Sequence, residues 1–126
     1  MSDPDPKQAP LRVLLVDPDD CVRESLAGLL GIGQRCLVVG TAGSADTAVR
    51  LAAELDPEVV VVDPRVPGDG AAALIAEVRQ AAPRARVLVL NWSDTADLSS
   101  GADAYIRKTF RPQELIDAVV ATRPRP

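Results

Sequence analysis

Residues 59–70 read Val59-Val60-Val61-Val62-Asp63-Pro64-Arg65-Val66-Pro67-Gly68-Asp69-Gly70. An unbroken run of β-branched residues is a strand buried on both faces, as inside a parallel sheet. Proline and glycine then end it at once. Asp63 is thereby placed at the carboxyl end of a buried strand, the edge where open α/β sheets bind their ligands. The sequence expects this carboxylate at the rim, with its charge in reach of water. A second strand, Leu11-Arg12-Val13-Leu14-Leu15-Val16, ends in the same way at Asp17. Two carboxylates delivered to one sheet edge suggest a cation site or an acid cluster.

Outward from these strands, strand and helix patterns alternate. Strands are expected over Leu11–Asp17, Cys36–Thr41, Val59–Asp63, Val87–Asn91 and Ala104–Ile106. After the first strand, Val22, Leu26, Leu29 and Leu30 fall on one helical face. Asp19 and Asp20 stand where they can cap that helix, and Gly31 and Gly33 stop it. A second helix runs from about Ser44 to Leu55, with Ala45, Ala48, Val49 and Ala52 inward, and Asp56-Pro57 ends it. A third runs from about Ala71 to Ala82 on Ala71, Leu74, Ile75 and Val78. The last begins near Pro112, a residue suited to a first helical position, and buries Leu115, Ile116 and Val119. Such alternation means a parallel sheet with helices on both faces. One segment breaks the rhythm. Trp92 to Ser100 has room for about two turns at ~3.6 residues each, with Leu98 as its one large aliphatic residue. The expected helix there is short and weakly held.

Bulk properties bound the rest. The 126 residues suffice for one core, and 47% apolar content is that of a globular chain. A net charge of −4 with no basic stripe argues against contacts with nucleic acid. Histidine is absent, and Cys21 and Cys36 form no metal-ligand spacing, which argues against zinc and haem chemistry, and both thiols are expected buried and reduced. No signal peptide or membrane-spanning run is visible, which points to the cytoplasm. Residues 1–10 read as a disordered lead, 11–122 as one domain and 123–126 as a tail. All three aromatic residues, Trp92, Tyr105 and Phe110, fall in one short stretch.

The pieces LRVLLVDPDDCVRESL, VVVVDPRVPGDG, VLVLNWSD and GADAYIRKTFRPQEL together resemble the receiver domain of bacterial two-component response regulators. The likeness covers about residues 11–122. It implies a flavodoxin-like, doubly wound five-stranded parallel sheet in order 2-1-3-4-5, here with a shortened fourth helix. It implies a regulatory phosphoacceptor, not an enzyme in the ordinary sense. By this resemblance Asp63 accepts a phosphoryl group from a sensor histidine kinase or phosphotransfer protein, and Lys108 offsets the phosphoryl charge. Mg²⁺ would be held by Asp17, Asp63 and the main-chain carbonyl of Arg65. Asn91 and Tyr105 occupy the switch positions. The region around Trp92, Tyr105 and Phe110 corresponds to the face used for a downstream partner or self-dimerisation.

The chain departs from that pattern in places. Pro18 stands where the family carries its second acid, which weakens or removes the Mg²⁺ site. Asp19 and Asp20 are nearby, but capping is their expected task. Asn91 replaces a serine or threonine, and Trp92 replaces a small residue. Two other readings stay open. A pseudo-receiver would bind proteins through the same fold without phosphorylation. A flavodoxin-like enzyme or small-molecule carrier would share the architecture, but VDPDDC has acids where a phosphate-binding loop has glycines.

Overall fold

The computed structural model describes residues 9–92 and 101–124. Five strands form one parallel sheet: β1 (Leu11–Val16), β2 (Cys36–Ala42), β3 (Val59–Val62), β4 (Arg86–Asn91) and β5 (Ala104–Arg107), in order β2-β1-β3-β4-β5. Four helices are described: α1 (Asp20–Leu30), α2 (Ala45–Leu55), α3 (Ala71–Ala81) and α4 (Pro112–Ala121). A short 3-10 turn, Ile32–Gln34, follows α1. The expected fourth helix falls on residues 93–100, outside the described residues.

The two-residue period of the strands divides the core. Leu14, Val16, Val60, Val62, Val87 and Val89 pack on one face with Ala48 and Ala52 of α2 and Leu74, Ile75 and Val78 of α3. Val13, Leu15, Val59, Val61, Leu88 and Leu90 pack on the other with Leu26 and Leu30 of α1 and Leu115, Ile116 and Val119 of α4. Every residue of β3 is buried, so a continuous valine run serves both layers at once.

The helix ends follow local chemistry. Asp19 is the N-cap of α1 and accepts from the Val22 amide at 2.9 Å. Ser44 caps α2 through the Thr47 amide, and Asp56 closes that helix in the left-handed region at φ 46°. Pro112 opens α4. One expectation fails: Cys36 is buried, but Cys21 is exposed. Cys21 precedes Val22 on α1 and so lies off the apolar face that Val22 and Leu26 define.

Register carries the site. Val16 pairs with Val62, so the next residues, Asp17 and Asp63, leave adjacent strands side by side. The Asp63 amide donates to the Val16 carbonyl at 2.8 Å. Asn91 pairs with Arg107, which puts Lys108 one step beyond the end of β4.

Candidate functional site

At the carboxyl edge of the sheet, Lys108 bridges the two strand-end acids. Its Nζ donates to Asp17 Oδ2 at 2.5 Å and to Asp63 Oδ2 at 2.7 Å. Asp17, Asp63 and Lys108 are 1%, 2% and 5% exposed. This corrects the expectation of a wet rim pair. Side chains at the strand ends and the loops around them close over the acids, so the triad is a buried ion cluster. Such a cluster persists only if each charge is matched, since an unpaired buried charge is costly.

The matching extends further than the sequence indicated. The loop after β3 turns back on Asp63, and the Arg65 amide donates to Asp63 Oδ1 at 2.8 Å. That turn brings the Arg65 guanidinium onto the same carboxylate. Nη2 donates to Oδ2 at 2.8 Å, and Nε lies 3.2 and 3.3 Å from Oδ1 and Oδ2. Burial raises the Asp63 pKa, but the bonds from Arg65 and Lys108 outweigh it and hold the carboxyl below its ordinary value. The same contact raises the Arg65 guanidinium. Sequence reasoning gave Arg65 a role through its main-chain carbonyl alone. The spacing Asp-x-Arg in a tight post-strand loop was the available signal for its side chain.

Asp17 is also fully engaged. Its Oδ1 accepts from the Asp19 amide at 2.9 Å, and its main-chain oxygen accepts from Arg23 Nη1 at 2.8 Å. Asp19 Oδ1 serves the helix cap, and Asp20 Oδ1 pairs with Arg23 at 2.6 Å. Pro18 offers no side-chain donor. Among the described residues, no group of three or more acidic, histidine or cysteine side chains is arranged to hold a metal ion.

The two residues expected at switch positions meet. Asn91 Nδ2 donates to the Tyr105 hydroxyl at 3.1 Å, and Asn91 Oδ1 accepts from the Trp92 amide at 2.8 Å. Tyr105 is half-buried and packs against the α2/α3 side of the core. The Trp92 ring lies with its centroid 5.0 Å from Lys108 Nζ, within cation–π range. Trp92 and Phe110 stack at 5.8 Å with a 40° tilt and are 44% and 42% exposed. The aromatic cluster is thus divided: Tyr105 serves the interior, while Trp92 and Phe110 face outward beside the acid site. Asp69 and Gly70 take no part in the acid cluster. Gly70 is the N-cap of α3 at φ 104°.

The architecture has known counterparts. Residues 13–120 match the family model described as the response regulator receiver domain. The nitrate/nitrite response regulator protein NarL of Escherichia coli is 27% identical over 117 residues, spanning 89% of this chain and 54% of NarL. The DNA-binding response regulator MtrA of Mycolicibacterium smegmatis is 36% identical over 115 residues, spanning 87% of this chain and 49% of MtrA. The chain therefore spans about half the length of the curated relatives it matches. Among solved structures, the signal receiver domain of the putative response regulator NarL from Mycobacterium tuberculosis superposes with a TM-score of 0.80 at 28% identity, covering 89% of this chain and 94% of that one. The response regulator domain of Thermotoga maritima CheB gives 0.78 at 26% identity, covering 90% and 96%.

Proposed function

The chain belongs to the response regulator receiver domain family, and on that premise we propose that Asp63 is its phosphoacceptor and that Lys108, Asn91 and Tyr105 register the transfer. Receiver domains are regulatory modules that interact with histidine kinases or phosphotransfer proteins. The observation that carries the reading is the buried Lys108 bridge between Asp17 and Asp63 at the ligand-binding edge of the sheet. A buried ion cluster of this kind is weak evidence for stability, so a role in chemistry accounts for it better.

In the proposed step, an Asp63 carboxylate oxygen attacks phosphorus. The bond from phosphorus to the donor atom breaks, and its electron pair leaves with the donor, a phosphohistidine nitrogen or an acyl oxygen. The product is an acyl phosphate on Asp63, reactive enough to be a temporary mark. Lys108 stays within reach of the new phosphoryl oxygens and offsets their charge. Those oxygens then compete with the Tyr105 hydroxyl for the Asn91 amide N–H. Turning that amide toward the phosphoryl group withdraws its hydrogen bond from Tyr105, which passes the event to the face carrying Trp92 and Phe110. A downstream protein or a second copy of the chain would dock there.

Receiver domains generally bind Mg²⁺. The donors described above fit such an ion poorly. Mg²⁺ needs oxygen ligands in near-octahedral array. Here Pro18 supplies none, Asp19 caps α1, and both Asp63 oxygens accept from cationic side chains, Oδ1 from Arg65 and Oδ2 from Arg65 and Lys108. The chain's own residues support a weak Mg²⁺ site or none.

The test is incubation with a small acyl phosphate followed by intact mass measurement. One phosphoryl adduct is expected, and Asp63→Asn should abolish it. An adduct that survives Asp63→Asn would place the acceptor elsewhere. Absence of any adduct under all metal conditions would assign the chain to phosphorylation-independent binding.

A further inference from the structure

We propose that Arg65 takes the electrostatic place of a divalent cation at Asp63, so that this receiver accepts a phosphoryl group without a metal ion. The inference rests on Asp63 being the acceptor.

Charge at the site supports it. Two buried carboxylates, Asp17 and Asp63, face two cations, Lys108 and Arg65, all within hydrogen-bonding distance. These four groups sum to zero charge, and Asp19, which also acts on Arg65, is engaged as the cap of α1. A divalent ion approaching Asp63 meets a guanidinium already seated on both carboxylate oxygens and gains no surplus negative charge. A cation site needs unsatisfied anionic oxygen, and the cluster has used what it holds.

Geometry supports it next. The Asp63 side chain is almost fully buried, while Arg65 is 52% exposed. The guanidinium therefore covers Asp63 on its solvent side, the side from which a phosphoryl donor must come. The bond from the Arg65 amide to Asp63 Oδ1 fixes the loop that carries it, so the guanidinium stays within reach of Asp63. Guanidinium is also chemically suited. Its planar fork pairs in bidentate fashion with carboxylate and phosphate alike. A half-exposed side chain can rotate from the carboxylate of the free site to the phosphoryl oxygens of the modified one. It would then neutralise charge as transfer proceeds, with Lys108 on the buried side.

The sequence departures agree. Pro18 removes an acid, and one fewer negative charge is what makes two side-chain cations sufficient. Restoring a carboxylate or deleting the guanidinium should each shift the balance back toward a metal.

The experiment uses the 126-residue chain and a small acyl phosphate, with Mg²⁺ or with excess chelator, read by intact mass. The parent should form the Asp63 adduct at a similar rate in both. Arg65→Ala should lose on the order of a hundredfold in chelator and recover when Mg²⁺ is added. Direct Mg²⁺ titration by calorimetry gives a readout independent of transfer: no saturable binding by the parent, saturable binding by Arg65→Ala. A parent that labels only with Mg²⁺ would overturn the inference and leave Asp63 as acceptor. So would an Arg65→Ala variant that matches the parent in chelator. No adduct in either condition would overturn both.

Discussion

Lys108 shows how far one residue's surroundings change its meaning. At an exposed rim, a Lys–Asp pair contributes little. Sealed between Asp17 and Asp63, Lys108 separates two carboxylates that would otherwise repel each other in a poorly solvated site. Lys108→Met keeps the bulk and removes the charge. It should destabilise the fold by roughly 3–5 kcal/mol at neutral pH, the cost of stranding buried charge. The loss should shrink as pH falls, because one stranded carboxyl can take up a proton. The parent should behave in the opposite sense. Its Asp63 pKa is lowered on folding, so the stability this contributes is fully present above the ordinary value of 3.8 and is lost as pH drops below it. Denaturant melts from pH 7 to pH 3 would separate the two profiles. A variant whose deficit is constant across that range would mean that Lys108 acts through packing and not charge.

The junction of β1 with α1 shows which features of an element are legible in a sequence. Its strand, its cap and its apolar helical face all rest on local rules: a short apolar run, a carboxylate before a helix, a spacing of three and four. Each is found where those rules place it, down to Asp19 Oδ1 on the Val22 amide. The Arg65 contact was not legible in the same way. It depends on the loop after β3 folding back over its own first residue, a path that side-chain periodicity does not encode. The burial of Asp63 was missed because the pattern locates a strand end but not what closes over it. Residues 93–100 lie beyond the described structure, so the expected short helix there has no structural counterpart to set against it. The same junction gives a test of Pro18. Pro18→Asp adds a carboxylate beside Asp17 without disturbing the cap, since Asp19 keeps that task. One added charge close to the site should give saturable Mg²⁺ binding where the parent shows none. Calorimetric titration that finds no change would mean that residue 18 does not face the acid cluster.

At the scale of the whole molecule, the acid site meets the outward aromatic pair where Trp92 lies over Lys108. A fold with few aromatic residues has placed its lone tryptophan between the acid cluster and the outward-facing Phe110. On the proposed reading, phosphorylation of Asp63 would give Lys108 new oxygens to pair with and the Asn91 amide a new acceptor. Both changes reach Trp92, one through its ring and one through its backbone amide. Tryptophan emission should therefore shift when a phosphoryl mimic such as beryllium fluoride binds, and Asp63→Asn should remove the shift. Trp92→Ala with Phe110→Ala should weaken self-association or partner binding of the phosphorylated chain, compared with the parent at equal occupancy of the Asp63 adduct. Aromatic side chains often carry much of an interface's energy, so the paired substitution should cost about 2 kcal/mol or more of association if the face is used. The two halves fail separately. Emission indifferent to the mimic would mean that the site and this surface do not communicate. Association unaffected by the substitutions would place the docking face on another side of the sheet.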